Sequence, residues 1–401
     1  MKNDQLLRVH TNTKCRKKPD LEKLSFLMPG EAGVVERFHQ SIPGYSPTPL
    51  HNLKALAKMY GLGGIWVKDE SLRFGLNSFK ALGGIAAVAK IVAERLELDP
   101  GELDYSQLVA EETKEKLGEV TFITATDGNH GRGIAWAAQQ MGQKAVVLLP
   151  AGTASQRLQA ILDLGAEAEI VELNYDDAVR LAAKKAKKNN WILVQDTASN
   201  GYEKVPRWVM QGYMTMAAEA SRQMSDAGAG APTHIFLQAG VGSMAAAVLG
   251  WFVVNQTESI PRVAIVEPAD AACFYKSLRK ADGKAYKVAG DMETMMAGLA
   301  CGEPNPLAWK IVRDYASWGI KCADYVAARG MRMLKNPLSG DPEIVSGESG
   351  AVGLGVLAML MENSMNRETV QEMGLNESSQ VLLISTEGNT DPINYQRVLW
   401  G

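Results

Sequence analysis

Cysteine is scarce and unpatterned in this chain. Four stand among 401 residues, Cys15, Cys273, Cys301 and Cys322, and no two form a CxxC pair. That spacing argues against a zinc site, and no metal is expected. It suits free thiols in a reducing compartment, which predicts a cytoplasmic protein. Long apolar runs are missing as well: none approaches the roughly 20 residues that span a bilayer. Met1-Lys2-Asn3-Asp4 leads into no apolar core of a signal peptide. Nor does either sign of charge dominate. Lys and Arg number 42 against 45 Asp and Glu, a formal net charge of -3. Electrostatics therefore gives no reason to expect nucleic acid or an anionic membrane as partner. Internal repeats and low-complexity linkers are also absent.

What is present is a long alternation of strands and helices. Residues 1–22 are polar and basic, with Lys14, Arg16, Lys17 and Lys18 around Cys15, and predict a loosely held arm. The two prolines of Ser46-Pro47-Thr48-Pro49-Leu50 predict a rigid turn. A helix is expected over 53–60 and a strand over 64–67. A buried helix follows over 85–92, with Lys90 as its exposed residue. The polar stretch 94–116 reads as two exposed helices broken at Pro100-Gly101. From Glu119 onward, strands at 120–124, 145–149, 169–173 and 191–195 alternate with helices at 133–141, 155–164 and 175–189. A second series has helices at 208–224, 243–254 and 350–362, with strands at 234–238, 262–266 and 381–385. Such alternation predicts mostly parallel sheets with helices on both faces. The fold class is α/β, in two domains, with a site in the crevice between them at the carboxyl ends of the strands.

Four stretches carry possible chemistry. Asn77-Ser78-Phe79-Lys80-Ala81-Leu82-Gly83-Gly84 sets one lysine at the start of an apolar helix. Burial and a helix N-terminus both disfavour an ammonium there, and a neutral amine is a nucleophile that can form a Schiff base. Alone, Lys80 reads far more readily as a surface lysine beside a loop. Thr126-Asp127-Gly128-Asn129-His130-Gly131 joins a strand to a helix, where backbone N–H groups bind a carboxylate; alone it is equally a capped turn. Gln238-Ala239-Gly240-Val241-Gly242-Ser243-Met244 lets the backbone approach a phosphate. It is no Walker A loop, lacking Gly-Lys-Ser/Thr, but Gly240 to Ala245 also fits G-x-G-x-x-A, with Glu267 ending the next strand where a ribose-binding acid belongs. A nicotinamide-binding oxidoreductase therefore stays open at this point. Leu383-Ile384-Ser385-Thr386-Glu387-Gly388-Asn389 delivers two hydroxyls at a strand end. Together, a lysine, an asparagine loop, a phosphate loop and a strand-end hydroxyl are the parts that hold pyridoxal 5'-phosphate.

The motifs Pro47-Thr48-Pro49-Leu50, Lys68-Asp69-Glu70, Asn77-Ser78-Phe79-Lys80, Gly128-Asn129-His130-Gly131 and Gly165-Ala166-Glu167 resemble those of fold-type II pyridoxal-phosphate enzymes. That group includes threonine dehydratase and tryptophan synthase β, and the resemblance runs from about Pro47 to Asp391. More narrowly, Asp69-Glu70-Ser71-x-Arg73-Phe74-Gly75-Leu76-Asn77, Thr126 to Gly133 and Ala297-Gly298-Leu299-Ala300-Cys301-Gly302-Glu303 resemble the diaminopropionate ammonia-lyases. The resemblance implies a large cofactor-binding domain of residues 1–76 and 198–401, a small domain of residues 77–197, and a homodimer. It implies α,β-elimination of 2,3-diaminopropionate to pyruvate and ammonia, with serine or threonine dehydration as the alternative of the same fold. A non-catalytic amino-acid sensor is disfavoured by Lys80. By the same resemblance Lys80 holds the cofactor and acts as base. Asn129 contacts the ring hydroxyl, and Gly240, Val241, Gly242, Ser243 and Met244 cradle the phosphate. Ser385, in preference to Thr386, meets the pyridine nitrogen. Thr126, Asp127, Gly128 and His130 would line the substrate carboxylate. Asp127 departs from the small or hydroxyl residue usual in threonine dehydratases, so it is a candidate for a β-ammonium contact or a second base. Asp196 is a candidate for the same amine; Glu348, in Ser346-Gly347-Glu348-Ser349-Gly350, is a candidate only at one remove from the site and otherwise a helix N-terminal acid.

Overall fold

The computed structural model describes residues 7–126 and 128–401. Its strands are β1 Leu7–Thr11, β2 Leu50–Asn52, β3 Gly64–Asp69, β4 Thr121–Ala125, β5 Lys144–Leu149, β6 Glu167–Ile170, β7 Ile192–Leu193, β8 His234–Gln238, β9 Arg262–Pro268, β10 Trp318–Cys322 and β11 Gln380–Ser385. They form two sheets. The larger runs in the order β1-β10-β9-β8-β11-β3-β2, and the smaller β6-β5-β4-β7. The smaller sheet is parallel throughout. In the larger one the pairs β10/β9, β9/β8, β8/β11 and β11/β3 are parallel, and the edge pairs β1/β10 and β2/β3 antiparallel. Central strands such as Val381-Leu382-Leu383-Ile384-Ser385 are buried along their length, because helices cover both faces. The edge strand β6 carries the exposed Glu167 and Glu169, which discourages pairing with another chain.

The expected loose arm is the clearest departure. Residues 7–11 form strand β1, paired with β10 from Leu7 opposite Cys322 to Thr11 opposite Trp318. Leu7 and Val9 alternate with polar residues and pack on the core. Lys90 is a second correction: it is buried, and its Nζ donates to Gln211 Oε1 at 2.6 Å. The helix that carries it is longer than expected, Lys80–Arg95. The expected pair of helices over 94–116 is three short pieces, Pro100–Glu102, Tyr105–Val109 and Glu111–Leu117, since Asp99 and Asp104 each cap a new start.

Small residues decide how the Lys80 helix is held. A methyl group on Gly83 would lie 2.5 Å from the Tyr213 ring, and one on Gly212 would lie 2.5 Å from Leu82 O. On the other side Gly84 and Gly133 face each other, with a methyl on Gly84 3.1 Å from the Gly133 backbone. Helices Lys204–Asp226 and Asn129–Gln140 therefore clamp the Lys80 helix at backbone contact, which fixes where its first residue stands. The Lys68-Asp69-Glu70 motif serves the core. Lys68 Nζ meets Glu219 Oε2 at 2.6 Å, and Arg73 bridges Glu70 and Glu219 at 2.8 Å each. These four side chains are buried, and Arg73 and Lys68 hold the Glu219 carboxyl low against the opposing effect of burial. Lone buried charges would be costly, whereas this set is mutually paired.

Candidate active site

Lys80 opens its helix at the floor of a cleft between the two sheets. The loop before it is tied to the end of β11: Phe79 N donates to Thr386 O at 3.1 Å, Gly388 N to Asn77 O at 3.1 Å, and Asn77 Nδ2 to Asn389 O at 2.8 Å. The Lys80 ammonium meets Asp196 Oδ2 at 2.6 Å and lies over the Phe79 ring. Asp196 follows β7 by three residues, and Tyr175 donates its hydroxyl to Oδ1 at 3.1 Å. Burial pushes the Asp196 carboxyl up, but Lys80, His130 and the Tyr175 hydroxyl outweigh it and hold it at about 2. The Asp196 carbonyl in turn accepts from Ser243 Oγ at 2.5 Å and Asn305 Nδ2 at 3.2 Å. The lysine, its partner acid and the turn after β8 are thus one connected unit.

That turn is the second wall. Gly240, Val241, Gly242, Ser243 and Met244 all line the cleft, at the start of the helix Ser243–Asn255. The first N–H groups of a helix have no partner within it and carry its positive end, so they suit an anion. Gly242 sits at φ +88, and a methyl there would lie 2.3 Å from the Phe274 ring. Both facts demand glycine. Gly242→Ala is expected to lose at least tenfold in affinity for the phosphate-bearing ligand, on a strain of about 1–2 kcal/mol or more. Titration of the ligand-free variant checks it, and unchanged affinity would remove the turn from the site.

Not all expected residues reach this cleft. Asn129 lines it, as the first residue of the helix Asn129–Gln140, and donates Nδ2 to Glu387 Oε2 at 2.5 Å. His130 turns inward, Nε2 donating to Val194 O at 3.0 Å. Thr126 Oγ1 accepts from Gly128 N at 2.9 Å and Gly131 N at 3.1 Å, which shapes the loop. Asp127 lies outside the described residues. At the end of β11, Thr386 lines the cleft, while Ser385 donates to Ser346 Oγ at 2.8 Å on the other face of the strand. Period-two alternation puts neighbouring residues on opposite faces, so only one of the two can face a ligand. Glu348 begins the helix Glu348–Glu362 in the wall of a wider opening that shares Tyr175 with the cleft. Burial and Glu387 push its carboxyl up.

Tyr175, Gln238, Cys301, Ser349 and Glu387 also line the cleft, though nothing in the linear order assigned them a role. Cys273 and Cys301 are not joined in a disulfide. Glu267, the acid a dinucleotide site would need, is fully buried and accepts from Phe274 N at 2.8 Å and Tyr275 N at 2.6 Å. Burial pushes its carboxyl up to about 8. It caps the helix Cys273–Lys280 and is shut off from any ribose.

The cleft is a concave site between the two sheets, with Lys80 and Asn129 on one side and Gly240 to Met244 and Thr386 on the other, the setting in which small cofactors bind. Two buried polar atoms in its wall, Gln238 Oε1 and Ser349 Oγ, have no protein partner. Buried polar atoms of this kind call for a polar ligand. An anion-binding turn facing a lysine nucleophile, with orphaned polar atoms between them, fits a phosphorylated aldehyde on an aromatic ring. This is the site of a pyridoxal-phosphate enzyme.

The profile described as "Pyridoxal-phosphate dependent enzyme" matches residues 42–371, and the chain belongs to that family. It is 49% identical over 397 residues to a diaminopropionate ammonia-lyase of Salmonella typhimurium, covering 99% of this chain and 98% of that one. To the diaminopropionate ammonia-lyase of Escherichia coli K12 it is 52% identical over 371 residues, covering 92% and 91%. A crystal structure of the Escherichia coli enzyme with an aminoacrylate-PLP azomethine reaction intermediate superposes with a TM-score of 0.89 at 46% identity, over 99% of this chain and 97% of that one. A threonine deaminase of Solanum lycopersicum, 19% identical with a TM-score of 0.72 over 98% and 96%, shares the fold. Among the described residues no helix is long and apolar enough to cross a membrane.

Proposed function

We propose that this protein is an ammonia-lyase that converts 2,3-diaminopropionate and water to pyruvate and two molecules of ammonia. The observation that carries this reading is the Lys80–Asp196 pair facing the 240–244 turn, in a chain with full-length likeness to diaminopropionate ammonia-lyases. When bound, pyridoxal phosphate supplies an aldehyde that condenses with amines and a ring that stores the electron pair released from Cα.

The residues supply the rest. The 240–244 backbone anchors the phosphate. Lys80 would hold the cofactor through its amine and would serve as the base at the substrate Cα. Asp196, 2.6 Å from Nζ, stabilises the ammonium that results. Thr126, Asp127, Gly128 and His130 belong to the loop that receives the substrate carboxylate at a helix start. Asn129, which lines the cleft, would meet the ring hydroxyl. Thr386 takes the role expected of Ser385 at the pyridine nitrogen; a hydroxyl there does not hold a proton on the ring as a carboxylate would. The β-amino group leaves as ammonia, and hydrolysis of the three-carbon remainder gives pyruvate and the second ammonia. We also read the enzyme as a cytoplasmic homodimer, which sedimentation at micromolar concentration tests.

The deciding experiment compares substrates. Diaminopropionate should give ammonia and pyruvate in a ratio of two to one. Its kcat/KM should exceed that of serine by about a hundredfold or more, as expected when a site pairs with a substrate amine. Equal or better turnover of serine would make the protein a dehydratase.

A further inference from the structure

Glu387 has no part in the reaction as derived above. Its side chain is 2% exposed and lines the cleft two residues beyond β11. The carboxylate accepts from Asn129 Nδ2 at 2.5 Å, Ser349 N at 3.2 Å and Thr390 Oγ1 at 3.2 Å. Ser349 is the second residue of the helix Glu348–Glu362, so the positive end of that helix lies against the carboxylate. Glu387 is held from the other side too, because its backbone bridges that of Ser78 in the loop before Lys80.

The bond to Asn129 crosses the cleft. Asn129 stands just after β4 of the smaller sheet, and Glu387 just after β11 of the larger. An asparagine amide can present either two N–H donors or a carbonyl acceptor in a given direction, and in isolation it is free to turn over. A carboxylate accepts only. At 2.5 Å it admits Nδ2 and repels Oδ1. One Nδ2 hydrogen is then used by Glu387, and the other is left for a ligand in the cleft.

We propose that Glu387 is a positioning residue for the cofactor: from across the cleft it fixes the Asn129 amide so that an N–H meets the ring oxygen. This rests on the reading of Asn129 as the ring-oxygen contact. Loss of Glu387 frees the amide to turn its carbonyl toward that oxygen, replacing an attraction with a repulsion.

The test is a double-mutant cycle on holoenzyme and cofactor-depleted protein: wild type, Asn129→Ala, Glu387→Ala and the double variant. The readouts are pyridoxal-phosphate dissociation constant, and the position and pH dependence of the visible absorbance band. Each single variant should weaken cofactor binding by about tenfold to a hundredfold, the scale of one hydrogen bond to a charged group. Each should also shift the band. The double variant should be no weaker than Asn129→Ala alone, because Glu387 acts through that residue. Losses that multiply would overturn the proposal and give Glu387 an independent role. An Asn129→Ala variant with unchanged affinity and band would overturn both the Asn129 reading and the proposal. If Glu387→Ala fails to fold, Glu387→Met fills the volume without accepting a bond and carries the same cycle.

Discussion

Lys80→Ala is expected to abolish turnover of diaminopropionate while leaving a folded protein. On the proposed reading the variant loses both the amine that holds the cofactor and the base at Cα. A positioned base alone contributes about two to four powers of ten in rate, and loss of the covalent anchor adds to that. Activity should fall by more than about 10⁴-fold, and the visible band that borohydride bleaches in the wild type should be absent. The packing cost is small, since the helix stays clamped by Gly83 and Gly84 against its neighbours. The electrostatic cost is specific. Asp196 titrates at about 2 in the folded wild type, against an ordinary 3.8. A depressed carboxyl contributes stability that is present above the ordinary value and lost as pH falls through about 2. That contribution is about 2 kcal/mol at neutral pH. Lys80→Ala removes its main source, so in the cofactor-free protein Tm should drop by roughly 2–4 °C near pH 7. The gap to wild type should narrow as pH falls from 4 toward about 2, where wild-type Asp196 is itself protonating. Near-normal turnover in this variant would sink the pyridoxal-phosphate reading of the site. An unchanged Tm at pH 7 would show that Asp196 finds another partner.

The elements that order the site were legible because they obey local rules. The helix Tyr175–Asn189 lies where its pattern places it, capped by Asn174 and ended by Asn190 in a left-handed conformation. Strand β8 and the glycine turn after it were equally plain, since a buried strand and a φ-positive glycine both leave marks in the chain. Helix starts were less legible. The Asn129 helix begins several residues earlier than the expected 133, inside a stretch read as a loop, because tertiary contacts hold a turn that propensity does not favour. Pairings between distant residues left no mark. Asp196 meets Lys80 across 116 residues, and Glu387 meets Asn129 across 258. The choice between Ser385 and Thr386 turned on which face of β11 looks into the cleft, and two adjacent hydroxyls cannot reveal that. The edge strand β1 was hidden for another reason. Its alternation spans five residues, too short to stand out against a basic flank.

Asp127→Asn is expected to separate the two hands of the substrate. The residue is an acid in the loop we propose for the substrate carboxylate, where like charges repel, so its presence asks for a use. The loop around it is placed by Thr126, which ties Gly128 and Gly131, and by Asn129 at the helix start. A substrate held on a planar cofactor would present its Cα proton to one face or the other, and Lys80 would serve one of them. A substrate of the other hand presents its Cα proton to the far face, where a second base is needed. We propose that Asp127 is that base. Asparagine keeps the shape and removes the basicity. The D isomer should lose about 10²- to 10⁴-fold in kcat, and the L isomer should keep most of its rate. Pyruvate release from each pure isomer measures this directly. Equal losses on both isomers, carried mainly by KM, would instead make Asp127 a contact for the β-ammonium group, which both hands share. Unchanged rates on both would leave it a loop residue whose charge is offset by its neighbours. Lys80→Arg supplies the complementary arm: it retains a cation beside Asp196 but a far weaker base, and it should suppress the L isomer more than the D. A pair of variants with opposite isomer preferences would assign the two faces of the cleft to two named residues.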